Sequence, residues 1–152
     1  MDFLGLNNKT FLVFGLANRK SVAWHVGRVL AEVGAEVLWV VRSEARCEEV
    51  KKLIGEDPVF VCDVENEEEI AALEKAVAQK WPRLDGLVHS IAFAEYEGGV
   101  KPFHETGKRE FLRAVDISCY SLLAISRAFK ELLDTDASVV TISISTTRMA
   151  SE

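Results

Sequence analysis

What most constrains the fold of this chain is an alternation in which short β-branched runs are separated by longer stretches whose apolar residues recur at helical spacing. Residues 10–14 form the first run. A helical pattern follows over residues 21–33 until Gly34 stops it, and residues 36–41 form a second run that is apolar on both faces. Strand, helix and parallel strand make one βαβ unit, and a strand apolar on both faces belongs in a sheet covered above and below by helices. The pattern repeats with a helix over 45–54, a strand over 59–62, a helix over 67–80 ending before Pro82, and a strand over 86–90. After a polar loop with Gly99 and Pro102, the spacing predicts one long helix over 109–133. Phe111, Val115, Leu122, Ile125 and Phe129 would line its core face, and a fifth strand would follow over 138–143. The expected fold is α/β, a doubly wound parallel sheet.

A chain of 152 residues is the usual size of one domain with one core. Its formal charge of −6, with acids spread along it, supplies no basic stripe for nucleic acid. No apolar run is long enough to span a bilayer, and residues 1–10 lack the order of a signal peptide, so a cytoplasmic protein with no membrane partner is expected. Cys47, Cys62 and Cys119 are odd in number and form no CxxC pair, which points to free thiols, with Cys62 buried. His25, His89 and His104 show no metal-ligand spacing, so structural or surface roles are expected and no metal is assigned.

Three segments fall where a doubly wound sheet places its ligands, at the carboxyl ends of strands. The first, Gly15-Leu16-Ala17-Asn18-Arg19-Lys20-Ser21-Val22-Ala23-Trp24, joins the first strand to the first helix, where backbone amides and a helix N-terminus can meet a pyrophosphate. Gly15 permits a tight approach and Ser21 can act as helix cap or phosphate donor. The usual GxGxxG is absent, so a plain strand-to-helix turn is the alternative. The second, Cys62-Asp63-Val64, ends the third strand; Asp63 can accept a hydrogen bond from an adenine amino group or cap the next helix. The third, His89-Ser90-Ile91-Ala92-Phe93-Ala94, ends the fourth strand with small side chains that admit ligands closely.

Together these segments resemble those of bacterial enoyl-acyl-carrier-protein reductases, nicotinamide-dependent enzymes of fatty acid synthesis in the short-chain dehydrogenase/reductase superfamily. Gly15 to Trp24 looks like that family's altered glycine loop. His89 to Ala94 is its most specific match, replacing the Asn-Asn-Ala-Gly of most of the superfamily. The resemblance implies a Rossmann-like fold with Gly15, Ser21, Val22, Arg42, Asp63, Val64, Ser90, Ile91 and Ala92 around the dinucleotide and Ala94 at the substrate. It further implies an enoyl thioester on acyl carrier protein as partner, and a homotetramer. Asp116 to Leu122 resembles another family run, but its apolar spacing makes it chiefly core, and Tyr120 receives no catalytic role. His25 and Ile144 depart from the family, which usually has Gly and Tyr there.

No catalytic residue is assigned within the chain. The superfamily's chemistry needs a Tyr followed by a Lys, and the seventh residues after Tyr96 and Tyr120 are Phe103 and Arg127. On alignment of the fifth strand, the expected Tyr falls past Glu152, so the resemblance covers the first part of a longer domain and a sheet incomplete on its C-terminal side. Residues 138–145 would then form an exposed, β-prone edge, and the segment alone would self-associate.

The residue after the second strand normally decides the cofactor, an acid suiting a free ribose diol and an Arg a 2′-phosphate. Arg42 stands there and Arg46 one turn later, which favours NADPH over NADH, while Glu44 between them could bond a ribose hydroxyl or repel a phosphate. Two other functions stay open on the residues: a reductase acting on a ketone or alcohol, and a noncatalytic nucleotide-binding module.

Overall fold

The computed structural model describes residues 3–95 and 99–143; Tyr96, Ile144 and Ser145 fall outside them. Five parallel strands form one sheet in the order β3-β2-β1-β4-β5: β1 Thr10–Phe14, β2 Glu36–Val41, β3 Val59–Val61, β4 Leu84–His89 and β5 Leu133–Thr141. In register, Leu12 lies between Leu38 of β2 and Leu87 of β4. Helices cover both faces, as strands apolar on both sides require. Helices α1 (Val22–Glu32) and α2 (Glu44–Ile54) enclose a core of Phe11, Val13, Trp39 and Val50. On the other face α3 (Glu67–Ala78) and α5 (Ser121–Ala128) enclose Leu12, Phe14, Leu73, Ile125 and Phe129. This is the Rossmann-like doubly wound sheet that the alternation predicts.

The first helices begin and end on local chemistry. Gly34 (φ 88°) closes α1 in a Schellman turn, Gly34 N donating to Ala31 O and Ala35 N to Leu30 O, each at 3.0 Å. At α3, Asn66 caps by accepting from Glu68 N at 3.0 Å, and Glu67, Glu68 and Glu69 place negative charge at the positive end of the helix dipole. At the amino edge of the sheet the buried Asp85 carboxylate accepts from Thr10 N at 2.9 Å and pairs with Lys9 and Arg83, joining β4 to β1.

The single long helix expected over 109–133 is interrupted and ends early. It runs as α4 (Lys108–Val115), a π turn (Asp116–Tyr120) and α5, which stops at Ala128. A π turn inserts an extra residue, so an apolar stripe read at constant spacing changes face across it. Ile125 and Phe129 are fully buried as expected, but Phe111 and Val115 are exposed. Leu133 begins β5 rather than ending the helix, pairing with Leu84 before the register shifts and Gly86 meets Ser138. Asp134 fills the shift, accepting from Asp136 N at 3.0 Å and from Arg83 at 3.1 Å. Among the described residues no helix is long and apolar enough to cross a membrane. All three cysteines are free; Cys62 is buried and its thiol is pushed up to about 12, chiefly by desolvation.

Candidate functional site

The strand order reverses between β1 and β4, because the chain builds outward to β3 and then returns by α3 to the other side of β1. The loops that leave these two strands diverge and open a cleft at the carboxyl edge of the sheet. It has a volume of about 280 Å³. Its walls come from the three segments singled out in the sequence: Gly15 to Ala17 after β1, Cys62 to Val64 after β3, and Ile91 to Phe93 after β4. Arg42 and Arg46 line it from the end of β2 and the first turn of α2, and Ile117 from the π turn.

Gly15 is where backbone geometry allows nothing larger. Its φ is 93°, and an added Cβ would lie 1.9 Å from Ser90 O, so the two loops touch backbone to backbone. Gly15 N donates to Val40 O at 3.3 Å and Ser90 N to Phe14 O at 3.3 Å. Ser21 stands at the N-cap of α1, but its Oγ does not cap that helix; it accepts from Ala17 N at 3.0 Å and Asn18 N at 2.9 Å and closes the loop on itself. Of the expected contact residues, Gly15, Arg42, Asp63, Val64, Ile91 and Ala92 line the cleft. Ser21, Val22, Ser90 and Ala94 do not, although Ser90 abuts Gly15; Val22 is half exposed and Ala94 exposed.

Asp63 is not a helix cap, since Asn66 has that role. Its Oδ1 accepts from Glu65 N at 3.2 Å and its Oδ2 from Arg42 Nε at 3.2 Å. Arg42 also reaches Glu65 at 3.4 Å, and Glu65 takes a two-pronged bond from Arg113 at 2.8 and 2.9 Å. That fork holds the Glu65 carboxyl below its ordinary range. Arg46 donates to Glu49 at 2.6 Å and to Ala17 O at 3.3 Å, tying α2 to the glycine loop.

The segment after β4 is positioned from the helix behind it. Phe93 N donates to Ser118 Oγ at 2.9 Å and Ser118 Oγ donates to Phe93 O at 3.2 Å, so the π turn fixes the Phe93 backbone. The Phe93 ring is approached by two guanidinium groups, with Arg113 at 4.8 Å and Arg42 at 5.7 Å from its centroid. His89 anchors the segment's start, its Nε2 2.8 Å from Ser121 Oγ and its Nδ1 3.2 Å from Thr141 Oγ1. Ser121 spends its one proton on Ile117 O at 2.6 Å, so it accepts from Nε2–H and leaves Nδ1 to accept from Thr141. Burial lowers the His89 pKa, in keeping with this neutral tautomer. His89 is thus structural, as its sequence context suggests, while His25 and His104 are exposed. Tyr120 lies elsewhere, donating to Glu67 of α3 at 2.7 Å.

Sequence reasoning alone misses the roles of Phe93, Ser118, Glu65 and Arg113. Phe93 and Ser118 sit inside the family-like runs His89 to Ala94 and Asp116 to Leu122, which is their signal in the sequence; the Glu65 and Arg113 pair spans 48 positions and has no local signal.

Comparison with known proteins converges on one family. Residues 15–152 match the family described as enoyl-(acyl carrier protein) reductase. The chain is 39% identical over 141 residues to the enoyl-[acyl-carrier-protein] reductase [NADH] of Enterococcus faecalis, covering 90% of this chain and 55% of that protein. It is 35% identical over 142 residues to the enoyl-[acyl-carrier-protein] reductase [NADPH] of Staphylococcus aureus, covering 90% and 56%. Among solved structures, the enoyl-[acyl-carrier-protein] reductase (NADH) of Aquifex aeolicus superposes with a TM-score of 0.84 at 32% identity, over 90% of this chain and 60% of that one. The Bacillus cereus enoyl-acyl carrier protein reductase with NADP+ and indole naphthyridinone gives 0.84 at 33%, over 90% and 55%. The chain thus spans a little over half the length of these relatives, and with its sheet order, glycine loop and His89 segment it belongs to the enoyl-(acyl carrier protein) reductase family.

Proposed function

We propose that this chain is the dinucleotide-binding part of an enzyme that reduces the carbon–carbon double bond of trans-2-enoyl thioesters on acyl carrier protein, in fatty acid biosynthesis. The observation that carries this reading is the cleft at the strand reversal, walled by Gly15 to Ala17, Asp63 and Val64, and the family-specific Ile91 to Phe93 segment. These residues fit a dinucleotide: Gly15 lets the loops after β1 and β4 meet backbone to backbone beside the cleft, Ala17 and Ala92 keep the walls low, and Val64 and Ile91 give apolar sides to a flat ring. Gly15, Ser21, Val22, Arg42, Asp63, Val64, Ser90, Ile91 and Ala92 would hold it, and Ala94 would meet substrate. The cofactor when bound supplies hydride to the enoyl β-carbon. The family's Tyr and Lys, which stabilise the enolate, are not among the assigned residues of this chain.

NADPH is proposed over NADH. Relatives carry either cofactor in their names, so the choice falls to local residues, and Arg42 and Arg46 both line the cleft. Arg42→Ala should weaken NADPH about tenfold more than NADH, as loss of a charge-assisted bond to a phosphate would. Equal losses in a fluorescence titration would sink the preference. In the full-length protein, turnover of an enoyl thioester without ketone reduction separates this function from other reductases of the superfamily. Absence of turnover with retained cofactor binding would leave a noncatalytic module. A cytoplasmic homotetramer completes the proposal; the exposed Phe111, Leu112, Val115 and Leu123 along α4 and α5 support packing between subunits.

A further inference from the structure

We propose that Glu65 is a positioning residue for cofactor choice: by holding the Arg42 guanidinium it lowers the preference for a 2′-phosphorylated dinucleotide over one with a free ribose diol. This rests on the reading that the cleft binds a dinucleotide. Arg42 presents Nε to Asp63 at 3.2 Å and Nη2 to Glu65 at 3.4 Å, so two carboxylates already face the cation expected to meet a phosphate. Glu65 cannot readily swing aside, since Arg113 grips both of its oxygens.

Beyond Glu65 the row continues through Arg113 with alternating sign. Arg113 lies 3.5 Å from Glu95 Oε2, and Arg109 lies 3.3 Å from Glu95 Oε1. Glu95 is the most buried member of the row, its side chain only 5% exposed. Asp63, Arg42, Glu65, Arg113, Glu95 and Arg109 therefore make three acids against three bases, and Arg42 enters the cleft from a row whose charges balance. The Phe93 ring, in contact with both Arg42 and Arg113, further restricts the two guanidinium groups. A 2′-phosphate, carrying close to two negative charges, would have to draw on an Arg42 whose charge Glu65 already engages, whereas a neutral diol needs no cation and is indifferent to how Arg42 is held.

The test measures NADPH and NADH dissociation constants on the full-length protein by nicotinamide fluorescence, for wild type, Glu65→Gln, Arg42→Ala and the double variant. Glu65→Gln should raise the preference for NADPH over NADH about fivefold, the upper range for one partly exposed ion pair. In the Arg42→Ala background the same change should leave that preference unmoved, which a merely structural role would not produce. An unchanged or reduced preference in Glu65→Gln with NADH still bound overturns the proposal, and so does an equal rise with Arg42 absent. If Glu65→Gln loses NADH altogether, Glu65→Ala carries the same expectation and the same refutation. Failure of wild type to bind either nucleotide refutes the dinucleotide reading itself, and the role of Glu65 with it.

Discussion

Strands β1 and β5 both carry β-branched residues and meet different fates. All five residues of β1 are buried, whereas most of β5 is exposed, including Val139 and Val140. The difference lies in what covers them. The middle of the sheet has α1 and α2 on one face and α3 and α5 on the other, while among the described residues β5 is an edge strand with one neighbour. β-branched composition says that a segment will extend; its neighbours decide whether it is buried. The cleft belongs to the covered part, where rigid strands hold its loops.

Gly15→Ala gives the largest expected effect, because it strikes the contact between the covered strands and the cleft at once. The new Cβ would meet Ser90 O at 1.9 Å on a backbone with φ of 93°, so unfolding stability should fall by at least about 4 kcal/mol. Urea denaturation checks this, and a loss under about 1 kcal/mol would show that the two loops can part. Leu12→Ala comes next. Leu12 is 0% exposed at the centre of β1, and its truncation should cost about 3 kcal/mol with the urea slope unchanged.

The bond between β4 and β5 through His89 offers a subtler probe. Burial lowers the folded pKa below 6.5, so the unfolded chain binds the proton more readily. The stability this gives is complete above 6.5 and is lost as pH falls toward the folded value. Wild type should therefore unfold at lower urea at pH 5.5 than at pH 7.5. His89→Asn should be less stable at pH 7.5 by about 1 kcal/mol, from the lost bond to Ser121, and show a shallower pH dependence. Parallel pH profiles for the two proteins would rule His89 out as the source.

How far the sequence carries can be judged at particular places. Strand β2 appears over the residues expected because apolarity on both faces leaves it one position, inside a parallel sheet. Gly15, Arg42 and Asp63 were readable because a doubly wound topology puts its ligands at strand ends, and all three line the cleft. The end of the long helix was not readable: no Gly or Pro marks Ala128, and Leu132 and Leu133 continue the helical spacing although they pack from a turn and a strand. Nor was the π turn at Asp116–Tyr120, which depends on tertiary contacts such as Ser118 with Phe93. The ladder through Glu65 joins residues from four separate elements and loops, beyond any local pattern. Ser21 shows the opposite failure, since its position signals a cap and its hydroxyl closes the preceding loop instead.

Val140→Ala is the smallest expected effect and sharpens the comparison most. Val140 pairs with Val88 in the sheet but is 47% exposed, so truncation should cost only about 0.5 kcal/mol, well below the loss at Leu12. That holds if β5 meets solvent. An uncovered edge with Val139, Val140 and Ile142 exposed is also a template for pairing with other chains, so the 152-residue segment should self-associate in sedimentation as concentration rises. A stable monomer at every concentration would contradict the self-association. A cost at Val140 rivalling that at Leu12, and growing with concentration, would mean that another copy covers β5 in solution and that the contrast between the strands belongs to the isolated chain alone.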